Sequence, residues 1–243
     1  MDEMPKTVVV TGASGDIGFA VVNQLIGQGY LVAACAHKNL DRLSVLGKDK
    51  KNITIYHLNL EDDQGIKDCA RQICGDAKAI VGLVNCAGIA EGGLFGMTKI
   101  EDMRRLFQIN LFGILLFTQV IVKKMMRRKC GSIVNVGSTA GIFSDPGTLA
   151  YGSSKAALIH ASRALAVELG PMGIRVNAVA PAVVNSKMAD MMDTSSRTKL
   201  DERGSLSGVT EPQDIADIVM FLLSDKAASI SAQTIRIDRG MPF

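Results

Sequence analysis

The sequence has little that could staple or divide a fold. Its five cysteines, Cys35, Cys69, Cys74, Cys86 and Cys130, are odd in number and contain no C-x-x-C pair. That excludes a disulfide framework and argues for a reducing compartment. Three histidines, His37, His57 and His160, stand far apart in the chain, so no metal site is expected. Prolines number only 6 in 243 residues, and no linker, repeat or low-complexity tract interrupts the pattern. One domain spanning residues 1–243 is the expectation. An excess of one charge is also lacking: 27 Lys and Arg stand against 24 Asp and Glu, a net +3. Without a basic arm or an RNA-binding signature, nucleic acid is not an expected partner. The opening MDEMPK is acidic and runs straight into a strand, so no signal peptide is expected. The longest apolar run, Leu111 to Val122, is broken by Gly113, Thr118 and Gln119. It is too short to span a bilayer and reads as a buried helix. A soluble protein outside the membrane, cytoplasmic in a bacterium, is expected.

What the sequence does have is alternation. Short β-branched runs at residues 7–11, 31–35, 52–58, 79–84, 132–137, 174–180 and 234–238 read as strands. Helical patterns occupy residues 17–28, the stretch after Glu61, 100–128, 151–169 and 212–223. Strands apolar on both faces and separated by helices imply a parallel sheet covered on both sides. Right-handed crossovers then give a single doubly wound Rossmann-type α/β domain, a seven-stranded parallel sheet flanked by helices. The polar stretch 193–208 suits a lid.

The first strand runs into Thr11-Gly12-Ala13-Ser14-Gly15-Asp16-Ile17-Gly18. A glycine turn between a strand and a helix lets the backbone approach a pyrophosphate, whose charge the helix N-terminus favours. Asp16 is unfavourable there unless it points away or caps the helix. The end of the second strand reports which dinucleotide binds, because an acid there would hold a ribose 2′-hydroxyl. Here it reads Cys35-Ala36-His37-Lys38, with no carboxylate before Asp41. Lys38, and with it His37, can pair with a 2′-phosphate; Lys38 can equally be a solvated loop lysine. The missing acid favours NADP(H) over NAD(H).

Tyr151 and Lys155 stand four apart at the start of a helical pattern, so phenol and ammonium share a face. Tyrosine titrates near 10, and a lysine cation stabilises phenolate; a drop of about 3 units needs roughly 4 kcal/mol. Ser138 ends the fifth strand, at the edge where ligands bind, and its hydroxyl can hold a carbonyl or developing alkoxide. Asn110 sits inside FQINLFGILLF, where an amide must find partners. It is either a satisfied core asparagine or the holder of a water or kink near Lys155.

The glycine turn, Asn85-Cys86-Ala87-Gly88, Asn110, Ser138, Tyr151, Lys155 and Pro181 resemble, in order and spacing, a short-chain dehydrogenase/reductase over the whole chain. The tail from Asp214 to Met241 and Asn59-Leu60 are similar to bacterial 3-oxoacyl-[acyl-carrier-protein] reductases. The resemblance implies that Gly12, Ser14, Ile17 and Gly18 wrap the pyrophosphate, with Asp16 inside that turn. It implies Asn59 and Leu60 at the adenine, and Asn85, Ala87 and Gly88 at its ribose. Lys155 would bind the nicotinamide ribose and tune Tyr151, while Pro181, Val184 and Ser186 hold the nicotinamide. Tyr151 would give a proton to the substrate oxygen that Ser138 steadies, with Asn110 completing the catalytic set. The implied reaction is NADPH-dependent reduction of a 3-oxoacyl thioester, carried on acyl carrier protein or CoA, in fatty acid synthesis. The alternatives are a dehydrogenase of a sugar, steroid or other secondary alcohol, and a non-catalytic dinucleotide sensor; the latter predicts loss of a catalytic residue.

Several residues depart from the family pattern. Gly15-Asp16 displaces the middle glycine, Cys86 replaces an asparagine, Ala182 follows Pro181 where glycine is usual, and Arg239 interrupts the terminal D-G-G. Gly147-Thr148-Leu149-Ala150 lacks the usual glutamine and asparagine. The basic cluster Lys123, Lys124, Arg127, Arg128 and Lys129 could meet an acidic carrier, or simply solvate a helix C-terminus. The wide apolar faces of the helices at 100–128 and 151–169 predict a homo-oligomer, and the resemblance implies a homotetramer or homodimer.

Overall fold

Runs of small and β-branched apolar residues become strands here because both of their faces are covered. In β1 (Lys6–Thr11) every residue after Lys6 is buried, and β2 (Leu31–Ala36) repeats the pattern after Leu31. The computed structural model describes residues 5–191 and 203–242. Along it follow β3 (Ile53–His57), β4 (Ala79–Asn85), β5 (Gly131–Val136), β6 (Ile174–Pro181) and β7 (Thr234–Ile237). They form one seven-stranded sheet in the order β3-β2-β1-β4-β5-β6-β7, every pairing parallel. The expected doubly wound architecture is therefore present. The chain turns outward in opposite directions from β1 and β4, and the crevice at their carboxyl ends is where such sheets bind ligands.

Helices cover both faces. On one lie α1 (Asp16–Gly27), α2 (Asp41–Asp49) and α7 (Pro212–Leu223), burying Val21, Val22, Leu25, Leu43, Ile215 and Val219 against the strands. On the other lie α3 (Asp63–Asp76), α4 (Ile100–Phe107), α5 (Gly113–Met126) and α6 (Leu149–Leu169), around Ile66, Ile73, Ile114 and Phe117. Local chemistry sets the starts. Asp62 accepts from Gln64 N at 3.1 Å to cap α3. Asp214 accepts from Glu211 N at 2.8 Å before α7, with Pro212 in the first turn, where its missing N–H costs nothing.

Two differences from the sequence expectations are informative. No helix was expected between the second and third strands, yet α2 is there. It is short, nine residues from Asp41 to Asp49, and its N-cap, Leu40, makes no side-chain hydrogen bond, so neither length nor a capping residue announces it. The apolar run at 111–122, expected to be too short for a bilayer, belongs to a longer helical stretch. Ile100–Met126 is long and apolar enough to cross one by length and composition, but more than half of its most apolar window is buried in the protein. Leu106, Ile114, Phe117, Ile121 and Met125 are almost wholly enclosed.

Candidate active site

The turn after β1 is built from backbone in close contact. Gly12 has φ +64°, and a Cβ there would stand 2.6 Å from Ala87 N. A Cβ on Gly18 would overlap the Gly12 carbonyl. Only glycine allows these approaches, of the turn to the loop after β4 and of α1 to the turn. Ala87 N donates to Thr11 Oγ1 at 3.2 Å, so the two loops are fastened together. The N-cap of α1, Gly15, supplies no side-chain acceptor. Its first-turn amides are left without a side-chain cap, the arrangement a pyrophosphate satisfies. The residues present thus fit a dinucleotide.

Asp16 points away from that cradle and is not the helix cap. Its carboxylate takes the Arg42 guanidinium at 2.8 Å and the Lys187 N–H at 2.9 Å. Burial pushes the carboxyl up, but the Lys187 N–H and Arg42 outweigh it and hold it below the usual range. A carboxylate beside the turn is tolerated because it is already neutralised. Ser14 Oγ donates to Lys38 O at 3.0 Å, tying the turn to the end of β2. His37 and Lys38 are exposed there.

The side chains expected around the adenosine are already engaged within the protein. Asn85 is 1% exposed; its amide donates to Asn135 Oδ1 at 2.8 Å and Thr118 Oγ1 at 3.2 Å, and accepts from Thr11. Its side chain is committed to a core network that continues to Ser162, which leaves its backbone for the expected ribose contact. Asn59 turns its Oδ1 onto Glu61 N, and Leu60 packs into the core while its carbonyl receives Gln108 Nε2 at 3.1 Å. On the far side Pro181 ends β6. Val184 forms a lone parallel bridge with Thr210, and Ser186 Oγ donates to Val184 O at 3.1 Å.

The proposed catalytic residues converge. Between α4 and α5 the helix widens into a π-turn, Gln108–Phe112, a form often found at functional sites. This turns Asn110, fully buried, toward the loop after β4. Asn110 Oδ1 accepts from Ile89 N at 2.9 Å, while Nδ2 donates to Ile89 O at 2.9 Å and to Ser154 Oγ at 3.0 Å. Ser154 in turn donates to Tyr151 O at 2.7 Å. Sequence reasoning passed over Ser154, although it stands next to Lys155 in the same motif. Gly88 lies where a Cβ would be 3.1 Å from Asn110 Oδ1 and 3.2 Å from Lys155 Nζ, so loop, amide and ammonium meet.

Lys155 is 4% exposed; its Nζ donates to Val136 O at 2.9 Å and stands 5.9 Å from the Tyr151 ring centroid. Burial brings its pKa down to about 8, against a small opposing effect of Cys86. Tyr151 differs from the expectation of a lowered phenol. Burial raises it, and the hydrogen bond with Ser138 offsets this only in part. The Lys155 ammonium is spent on a carbonyl rather than on the phenol. Ser138 Oγ also accepts from Ala140 N at 3.2 Å, which starts the turn after β5.

From that turn, residues 140–149 form the wall of a cleft of about 690 Å³, lined by Leu94, Phe95, Ile142, Phe143 and Leu149 among others. Asp145 on this wall takes Arg203 through both oxygens at 2.9 Å. Most of the expected lid, residues 193–208, lies outside the described residues. Its end, from Arg203, is fastened to this wall and to Gly240 O, which accepts from Ser205 Oγ at 2.8 Å. Arg239 has φ +55°, which explains why glycine is usual there; its side chain donates to Leu206 O and Gly208 O. Among the described residues, no group of His, Cys, Asp and Glu could hold a metal.

A family model described as enoyl-(acyl carrier protein) reductase matches residues 12–242. The chain belongs to the short-chain dehydrogenase/reductases. It is similar to the 3-oxoacyl-[acyl-carrier-protein] reductase FabG of Rickettsia conorii, 35% identical over 99% of this chain and 98% of that one. The Thermotoga maritima protein of the same name is 34% identical over 97% of both chains. Among solved structures, ElxO with NADP bound superposes with a TM-score of 0.90 at 26% identity, covering 98% of this chain and 99% of that one. Membership makes the chain an oxidoreductase that works with a dinucleotide.

Proposed function

We propose that the protein is an NADPH-dependent reductase of 3-oxoacyl thioesters. The observation that carries the reading is the hydrogen-bonded chain from Ile89 through Asn110 and Ser154 to the Tyr151 backbone carbonyl, with Ser138 on the phenol. A bound nicotinamide supplies the hydride. Everything else falls to the chain. Because burial keeps the phenol protonated at neutral pH, Tyr151 holds the proton a ketone oxygen needs as it becomes an alcohol. Ser138 steadies that oxygen, and Lys155, charged below about pH 8, biases the site toward negative charge. The apolar cleft beside Ser138 suits an acyl thioester better than a sugar. The intact set Asn110, Ser138, Tyr151 and Lys155 disfavours the sensor reading.

NADPH is supported by the absent acid after β2, by exposed Lys38 and by ElxO, which binds NADP. The FabG relatives support the ketone, and acyl carrier protein or CoA as its bearer. The family description supports a second reading, reduction of an enoyl thioester. Five free cysteines fit work in a reducing cytoplasm. Exposed Ile100 and Phe112 at the start of the long helical stretch, and Val167 on α6, support a homo-oligomer. NADPH oxidation with acetoacetyl-CoA and with crotonyl-CoA tests the reading. Turnover of the first alone is expected; turnover of crotonyl-CoA alone overturns the ketone, and NADH preference overturns the cofactor.

A further inference from the structure

The cofactor edge holds a pair of imidazoles that the motifs do not account for. His37 follows β2, His57 ends β3, and the parallel pairing of Ala36 with His57 brings the two rings together. Nδ1 of His37 lies 3.3 Å from Nε2 of His57, with centroids 5.3 Å apart and planes tilted by 55°. Both residues are exposed. Facing nitrogens at this distance need one donor and one acceptor, so a single proton sits between the rings. The outward nitrogens are then determined. In the neutral pair one of them carries a hydrogen and the other a lone pair. A proton taken from solvent converts that lone pair to an N–H and adds one positive charge, while the inner hydrogen bond survives. A second proton would set two N–H groups against each other and break it.

We propose that His37 and His57 act as a titratable selector for the adenosine ribose, switching from 2′-hydroxyl to 2′-phosphate as the pair takes up one proton. The neutral pair offers one donor and one acceptor, matching a hydroxyl. The protonated pair offers two donors and a charge, matching a phosphate dianion. This rests on the NADPH reading and deepens it, since that reading assigns the edge to His37 and Lys38 and leaves His57 unused.

The surroundings suit the role. The hydrogen bond from Ser14 to Lys38 O ties this strand end to the glycine turn. Lys38 adds a fixed positive charge to the same edge. The other charged groups of the packed elements are matched or distant in role. Asp16 pairs with Arg42 at 2.8 Å, Glu61 pairs with Arg105 at 2.8 Å, and Asp62 caps α3. Asp41 opens α2, and Tyr56 donates to Asp76 from within β3. Imidazole is the side chain among these whose charge ordinarily changes between pH 8 and 5.

The test is calorimetric binding of adenosine 2′,5′-bisphosphate and of 5′-AMP between pH 8.5 and 6, in buffers of different ionisation heat. For the bisphosphate, affinity is expected to rise about tenfold toward pH 6, as one added charge near a dianion implies. Net uptake averaging about 0.4 proton across this range should accompany it, since a tenfold gain over 2.5 pH units fixes that slope; 5′-AMP should show neither. The phosphate's own protonation near pH 6 works in the opposite direction, so it cannot imitate the gain. His57→Gln and His37→Gln each leave one imidazole that can still take up a proton, so each should keep much of the effect, and only the double variant should abolish it, a non-additive loss because the pair takes up a single proton. Bisphosphate binding that is tight but independent of pH, or losses that simply add, would overturn the selector and leave the NADPH reading standing. No preference for the bisphosphate over 5′-AMP at any pH would overturn both.

Discussion

The two halves of this crevice are built by opposite rules. Asn110, Ser154 and Lys155 are buried and Tyr151 is half-buried, and their polar groups are bonded to one another or to backbone. Around His37, Lys38, Asp16 and Arg42 they lie at the surface and are matched mainly by charge. A buried network tolerates few substitutions, because each lost partner leaves an unsatisfied group in a low dielectric. A surface edge can exchange residues for tenths of a kcal/mol. On the proposed reading, reaction type is held by the first region and cofactor choice by the second.

The largest effect should come from breaking the first region at its reacting atom. Tyr151→Phe removes the proton donor and leaves the ring, so kcat should fall by about 10²–10⁴-fold. The thermal midpoint and NADPH affinity should barely move. Retained turnover would transfer the proton role elsewhere. Next comes Asn110→Ala, which orphans both Ile89 backbone groups and the Ser154 hydroxyl. A loss of about 2–4 kcal/mol by urea unfolding is expected, together with lower kcat. A change below 0.5 kcal/mol would mean that water replaces the amide.

These residues also show what was legible beforehand. Strand positions, the parallel order and the Tyr151–Lys155 spacing follow from periods that burial imposes on sequence, and so they could be read. Asn110 stood out because an amide inside an apolar run demands an explanation. Asn85 did not separate itself in the same way: its place in a familiar motif suggested a ribose, while its bonds to Asn135 and Thr118 join residues 50 and 33 positions away. The direction of the Tyr151 phenol's shift was not foreseen because spacing shows that Lys155 shares its face but not that burial acts on the ring more strongly. Helix α2 was missed because it is short and begins without a capping side chain, and the His57 contact because it joins the ends of two strands.

Lys155 separates function from stability inside the buried region. A pKa near 8, down from 10.5, means that holding the charge in the folded state costs about 3 kcal/mol at neutral pH. The unfolded chain binds the extra proton between those values. The penalty is therefore complete below pH 8 and is relieved as pH rises toward 10.5. Lys155→Met should abolish turnover yet raise stability by about 1–2 kcal/mol at pH 7, less the unpaired Val136 carbonyl. The gap between variant and wild type should narrow by pH 9.5. A destabilised variant would show that the ammonium is a net structural asset.

The smallest effect belongs to the surface edge, and it sharpens the contrast. Arg42→Ala frees the Asp16 carboxylate beside the pyrophosphate cradle while leaving the buried relay intact. Stability should drop by no more than about 1 kcal/mol, because Arg42 is substantially exposed and solvent screens the pair. Asp16 is held below its ordinary pKa, so its contribution is present above the unfolded value and fades as pH falls through the folded one. The difference between wild type and Arg42→Ala should accordingly vanish in acid. Binding of NADPH and NADH should weaken together, about two- to fivefold, since an unmatched carboxylate repels the diphosphate they share. Weakening of NADPH alone would instead place Arg42 at the 2′-phosphate, and the edge would then read the ribose with a fixed charge as well as a titratable one.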